Sequence, residues 1–151
     1  MTDVIELRLP PRSEYLTLVR AAVGVISGGM SFDYDEIIQL RVTVSEAVQM
    51  VTQWATQEKI EATGARLLIH FTVDPDRLAI LLTVPEGLAR PITAEPDEEG
   101  LSLLQSLVDE VEFGGGAAGE PLIRMVKYRP AVEGWHIARL ARSGKFRRGG
   151  T

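Results

Sequence analysis

The stretch D-Y-D-E-I-I-Q-L-R-V-T-V-S-E-A-V-Q-M-V-T-Q-W, Asp33 to Trp54, decides how this chain folds. Ile37, Leu40, Val44, Ala47, Val48, Val51 and Trp54 recur at intervals of three and four, the pattern of a helix that lays one face on a core. Asp33, with Glu36 three residues on, starts this helix in the manner of a capping box. A turn of about 100° per residue carries Glu46 away from the apolar stripe, where Val42 and Met50 flank it four residues before and after. A carboxylate between two apolar neighbours needs a reason. It is either paired with a backbone donor or an arginine, or placed to act as a base.

Upstream, Ile5, Leu7 and Leu9 alternate within Val4 to Leu9, a half-buried strand stopped by Pro10-Pro11. Ser13 is placed to cap a helix with core positions Leu16, Val19, Val23 and Ile26, closed by Gly28-Gly29. Downstream of Gly64, two alternating runs, Arg66 to Val73 and Arg77 to Val84, join through Asp74-Pro75-Asp76 as a hairpin. Pro85 to Glu99 lacks periodicity and reads as a long loop. From Gly100, Leu101, Leu104, Leu107, Val108 and Val111 keep helical spacing, a short strand follows, Gly114 to Gly119 forms a turn, and Leu122 to Tyr128 is a last strand. Helices segregated from mainly antiparallel strands make an α+β two-layer sandwich with the helices on one face.

T-V-S-E-A-V-Q-M, Thr43 to Met50, resembles the S-E-A-x-x-N helix of anti-sigma factors of the RsbW/SpoIIAB type, serine kinases of the GHKL ATPase superfamily. G-L-S-L-L-Q-S-L-V-D-E-V-E-F, Gly100 to Phe113, is similar to that family's G-L-G-L-x-L-I-x-x-L-x-D-E-V-E, and the resemblance covers roughly residues 4–128. It implies the Bergerat, GHKL-like sandwich. It also implies a serine kinase with Glu46 as general base, a nucleotide site that includes Met50, Glu86, Gly87, Gly100, Leu101 and Ser102, and a homodimer. Arg20 stands where the family's arginine meets its sigma and STAS-type anti-anti-sigma partners, although alone it reads as a solvated charge.

The motifs depart from the pattern at chemically important positions. Mg²⁺ wants hard oxygen ligands, and Met50 offers a thioether where the family has asparagine. In V-P-E-G-L-A-R-P, Val84 to Pro91, Glu86 and Gly87 stand for the aspartate and first glycine of D-x-G-x-G, but the second glycine is missing. Glu99 and Ser102 flank Gly100-Leu101 where the family favours glycine, and a glutamate there repels a triphosphate. The expectation is an anti-sigma regulatory protein with weak or lost ATP binding and no required cofactor. ATP or ADP with Mg²⁺ is the cofactor set if the site still works, and phosphorylation of an anti-anti-sigma protein is then the alternative function.

Composition narrows the classes further. The 151 residues suffice for one domain, expected over residues 1–130, with a basic tail over residues 131–151. The tail holds Arg139, Arg142, Lys145, Arg147 and Arg148 against Glu133, a net charge of +4 that leaves −9 on the rest. An acidic body repels nucleic acid and suits a basic protein partner, while the tail alone, with Trp135 and Phe146, keeps nucleic-acid binding as a third reading. There is no cysteine, so thiolate chemistry and disulfides are excluded. His70 and His136 lack ligand spacing, and no metal site is expected. No apolar run is long enough for a bilayer and no signal segment opens the chain, so a cytoplasmic protein is expected.

Overall fold

The capping box expected at Asp33 forms in the structure, a computed structural model that describes residues 2–57, 64, 66–84, 95–115 and 122–129. The Asp33 carboxylate accepts from the Glu36 N–H at 2.8 Å, and Glu36 Oε1 accepts from the Asp33 N–H at 3.3 Å. Two of the donors orphaned at a helix start are thereby satisfied. The helix runs Tyr34–Gln57. Its interior contains neither glycine nor proline, but Ile38, Val42, Thr43, Val44, Val48, Val51 and Thr52 are β-branched and poor helix formers, so packing must hold it.

The chain order is β1 (Asp3–Leu9), a 3₁₀ turn (Ser13–Tyr15), α1 (Leu16–Gly29), α2 (Tyr34–Gln57), β2 (Leu67–Asp74), β3 (Arg77–Thr83), α3 (Glu98–Leu107), β4 (Glu110–Phe113) and β5 (Ile123–Tyr128). The strands form one sheet in the order β1-β2-β3-β5-β4, and every pairing is antiparallel. This is the α+β two-layer sandwich that the pattern and the resemblance implied. The register aligns Ile5, Phe71, Ile80, Met125 and Val111 across the five strands. Phe71, Ile80 and Met125 from that row join Leu40, Val44, Ala47, Val48 and Val51 of α2 in one core, with Val19 and Val23 of α1 and Leu104 of α3. Each such fully buried side chain contributes about 1.5–3 kcal/mol of transfer free energy, which is what fixes α2 on the sheet.

Four boundaries differ from the sequence reading. Ser13 caps nothing with its side chain: it opens the 3₁₀ turn, and α1 starts at Leu16, because the turn already supplies the backbone bonds that a cap would make. Gly28 and Gly29 complete α1, and the left-handed residue that reverses the chain is Ser31, at φ 66°. The helix expected from Gly100 begins at Glu98, because Asp97 caps it. Val108 leaves that helix in extended conformation and Val111 lies in β4, where alternation overrides an accidental helical spacing.

The rest of the Pro85–Glu99 loop, the Gly114–Gly119 turn beyond Gly115, and the basic tail lie outside the described residues. Among the described residues no helix is long and apolar enough to cross a membrane.

Candidate functional site

Three structural decisions converge on one spot. The first is the rotation of α2, whose core stripe turns Met50 inward to 8% exposure and leaves Glu46 half-buried beside it. The second is the placement of α3. Lys127 of β5, itself buried, donates to Gln39 Oε1 of α2 at 3.1 Å and to the Leu107 carbonyl, the last of α3, at 3.2 Å. An ammonium at a helix C-terminus is favourable for the dipole, and here it ties α3 to α2 and the sheet. The third is Gly100, where the two helices meet.

A Cβ built on Gly100 would lie 2.3 Å from Met50 Cε, 2.8 Å from Asp97 Oδ1 and 3.8 Å from Glu46 Oε1. The Met50 methyl group thus rests on the Gly100 α-carbon, with the Glu46 carboxylate alongside. Glycine is required there by closeness and not by backbone conformation, since no left-handed φ occurs at this position. Asp97 accepts from the Gly100 N–H at 2.7 Å, and its carbonyl accepts from the Leu101 N–H at 3.0 Å. The helix start, a natural anion site, is therefore filled by the chain's own carboxylate, with Glu98 and Glu99 adding negative charge in the first turn.

Of the residues singled out from sequence, the structure brings Glu46, Met50 and Gly100 together. Leu101 follows in the first turns of α3 and is half-buried, Ser102 is exposed, and Glu86 and Gly87 lie outside the described residues. Asp97 is a site residue that the sequence motifs do not single out. The signal was D-E-E-G, Asp97 to Gly100, a capping residue three positions before the glycine whose N–H it takes. Among the described residues none donates to or pairs with Glu46. Among the described residues no group of three or more carboxylates and histidines could hold a metal ion.

Arg20 belongs to a different face. Its Nε donates to Ser45 Oγ at 2.6 Å, and that hydroxyl donates to the Arg41 carbonyl at 2.7 Å. The expected solvated charge is instead an exposed arginine held in place by α2. The Arg41 guanidinium crosses the same helix junction over Gly24, whose Cβ would stand 2.4 Å from Nη2. Two cations are thereby fixed on the α1–α2 surface, near the apolar side chains of Ile38 and Val42, which are exposed.

Comparison with known proteins places this geometry. No family model matches the chain. It is 30% identical over 126 residues to the serine-protein kinase RsbW of Bacillus pumilus (strain SAFR-032), a match covering 73% of this chain and 77% of that protein. It is 25% identical over 127 residues to the serine-protein kinase RsbW of Bacillus cereus (strain Q1) and to that of Bacillus thuringiensis subsp. konkukian (strain 97-27), covering 74% of this chain and 77% of each. With the S-E-A helix and the α3 helix start meeting in one α+β sandwich, and that similarity running over most of both chains, the chain belongs to the family of RsbW-type serine-protein kinases.

Proposed function

We propose that the chain is an anti-sigma regulatory protein that acts by holding protein partners, a sigma factor or a STAS-type anti-anti-sigma protein, with weak or lost use of ATP. The observation that carries this reading is the contact between the Met50 methyl group and Gly100. A thioether fills the space above the α3 start and offers no hard oxygen to Mg²⁺, while Asp97 takes the N–H that a phosphate would take. Residues of this kind do not fit a magnesium nucleotide. The α1–α2 surface, with Arg20 and Arg41 held beside Ile38 and Val42, supports a protein-binding role, and homodimer formation is part of the same proposal.

A kinase reading is favoured by one observation, the half-buried Glu46 carboxylate beside the α3 start, which has no donor among the described residues, the state a general base needs. Calorimetry with ADP and ATP in Mg²⁺ separates the two. The binding reading expects no heat of association, and micromolar affinity overturns it. Transfer of labelled phosphate to an anti-anti-sigma protein, lost in Glu46→Ala, would establish the kinase, and its absence retires that reading.

A further inference from the structure

β4 ends the sheet on one side, and among the described residues no strand pairs with its outer edge. The ladder decides which backbone groups that edge offers. The Gly114 N–H donates to the Leu122 carbonyl at 3.0 Å, so Glu112 with Arg124 and Glu110 with Val126, further back on the same register, are the positions that bond inward to β5. Val111 and Phe113 therefore turn their N–H and C=O groups outward. Their side chains pack against the core on the helix side of the sheet, while Glu110 and Glu112 alternate to the other side. A cleft of about 370 Å³ follows this edge, lined by Gln105 of α3 and by Val108, Asp109, Glu110, Val111 and Glu112. Because consecutive strand residues point to opposite faces, a cleft that all of them line runs along the rim of the sheet and not over either face.

Charge decides what fits. The Glu110 side chain is 39% and that of Glu112 67% exposed, and among the described residues the cation that contacts them is Arg124, at 3.5 Å and 3.7 Å. The Asp109 carboxylate accepts from the Tyr128 N–H at 2.7 Å, so three carboxylates stand beside one guanidinium. A second copy pairing β4 with β4 would set these carboxylates against one another, and like charges directly opposite destabilise a ladder. The other edge strand, β1, would bring Asp3 and Glu6 against a single Arg8. We propose that the β4 edge takes up an extended, basic segment of a partner protein as an added antiparallel strand, one in which apolar residues alternate with lysine or arginine. Every pair already in the sheet is antiparallel. In that arrangement the apolar residues stand opposite Val111 and Phe113 and exchange backbone bonds with them, and the basic residues stand opposite Glu110 and Glu112. The edge shares no residue with the α1–α2 surface or with the Met50–Gly100 contact, so this inference stands or falls apart from the reading above.

The test titrates an end-capped Val-Lys-Val-Lys-Val-Lys-Val peptide into the isotope-labelled full chain at low salt and follows the amide resonances. The expected result is a saturable shift of the Val111 and Phe113 amides that weakens as salt rises, with no such shift from the peptide in which glutamate replaces lysine. N-methylation of the valine amides removes the bonds to β4 and abolishes binding, whereas N-methylation of the lysine amides, which point away from β4, spares it. Glu112→Lys, at the most exposed of these carboxylates, should weaken the lysine peptide about fivefold with the far-ultraviolet circular dichroism unchanged. Should that variant fail to fold, Glu112→Gln should give a smaller loss of the same sign. Absence of binding at millimolar peptide, equal binding of the glutamate peptide, binding that survives methylation of the valine amides, or affinity unmoved by the substitutions at Glu112 overturns the proposal. So does self-association of the chain that the peptide reverses, which would put a second copy on this edge.

Discussion

Replacing Met50 by asparagine should convert a closed site into one that responds to nucleotide, at a calculable loss of stability. Met50 is 8% exposed and its methyl group lies on Gly100, so the shorter amide leaves a gap beside α3 and loses buried apolar surface. Large-to-small changes of this kind lose about 3 kcal/mol. In a domain of this size that lowers Tm by about 6–12 °C. The asparagine oxygen faces the same space as Glu46 and supplies a hard ligand. A nucleotide at a hundredfold over its Kd returns about 2.7 kcal/mol, so Mg·ADP should raise the variant's Tm by about 5–10 °C and leave the natural chain unmoved. The assay is thermal unfolding followed by circular dichroism, with and without Mg·ADP, and Met50→Ala separates lost bulk from gained ligation. An equal Mg·ADP response in the natural chain and in Met50→Asn, whether present in both or absent from both, refutes the view that the thioether closes this site.

The other predictions concern single contacts. Gly100→Ala should displace the Met50 methyl group and loosen the Asp97 cap, losing about 1–2 kcal/mol, which denaturant titration will read as a lower midpoint at unchanged slope. Asp33→Ala removes one half of the capping box and should lose about 1 kcal/mol; a loss below a few tenths would show that packing alone sets the start of α2. The Tyr128 hydroxyl, helped by Arg124, holds the Glu110 carboxyl below its ordinary 4.5. A carboxyl depressed in the folded state adds stability above its unfolded value and loses it as pH falls through the folded one. Glu110→Gln should therefore be less stable than the natural chain at neutral pH and converge with it well below pH 4.5, as acid unfolding curves will show.

How much of this was legible in sequence differs from element to element. The 3.6-residue stripe of α2 and its capping box could be read directly, because both depend on residues within one helical turn of each other. So could the β2–β3 hairpin, whose alternation and Asp-Pro-Asp turn are local. The start of α3 is not legible because a cap lies outside the periodic pattern it serves, and the place of Val111 is not legible because Leu107, Val108 and Val111 satisfy helical spacing while β4 pairs with β5. Arg20 read as a free charge since its partner, Ser45, is on another helix.

By itself the sequence determined the order of elements, the two-layer class and the family, and it set Met50 where the resemblance implies an asparagine. Only the tertiary structure decided that this sulfur side chain lands on Gly100 and that Glu46 stands beside it with no donor among the described residues. The physical reason is one of range. Periodicity, capping and turn chemistry act over a few residues, whereas Met50 and Gly100 meet because Lys127, on a third element, sets where α3 lies against α2.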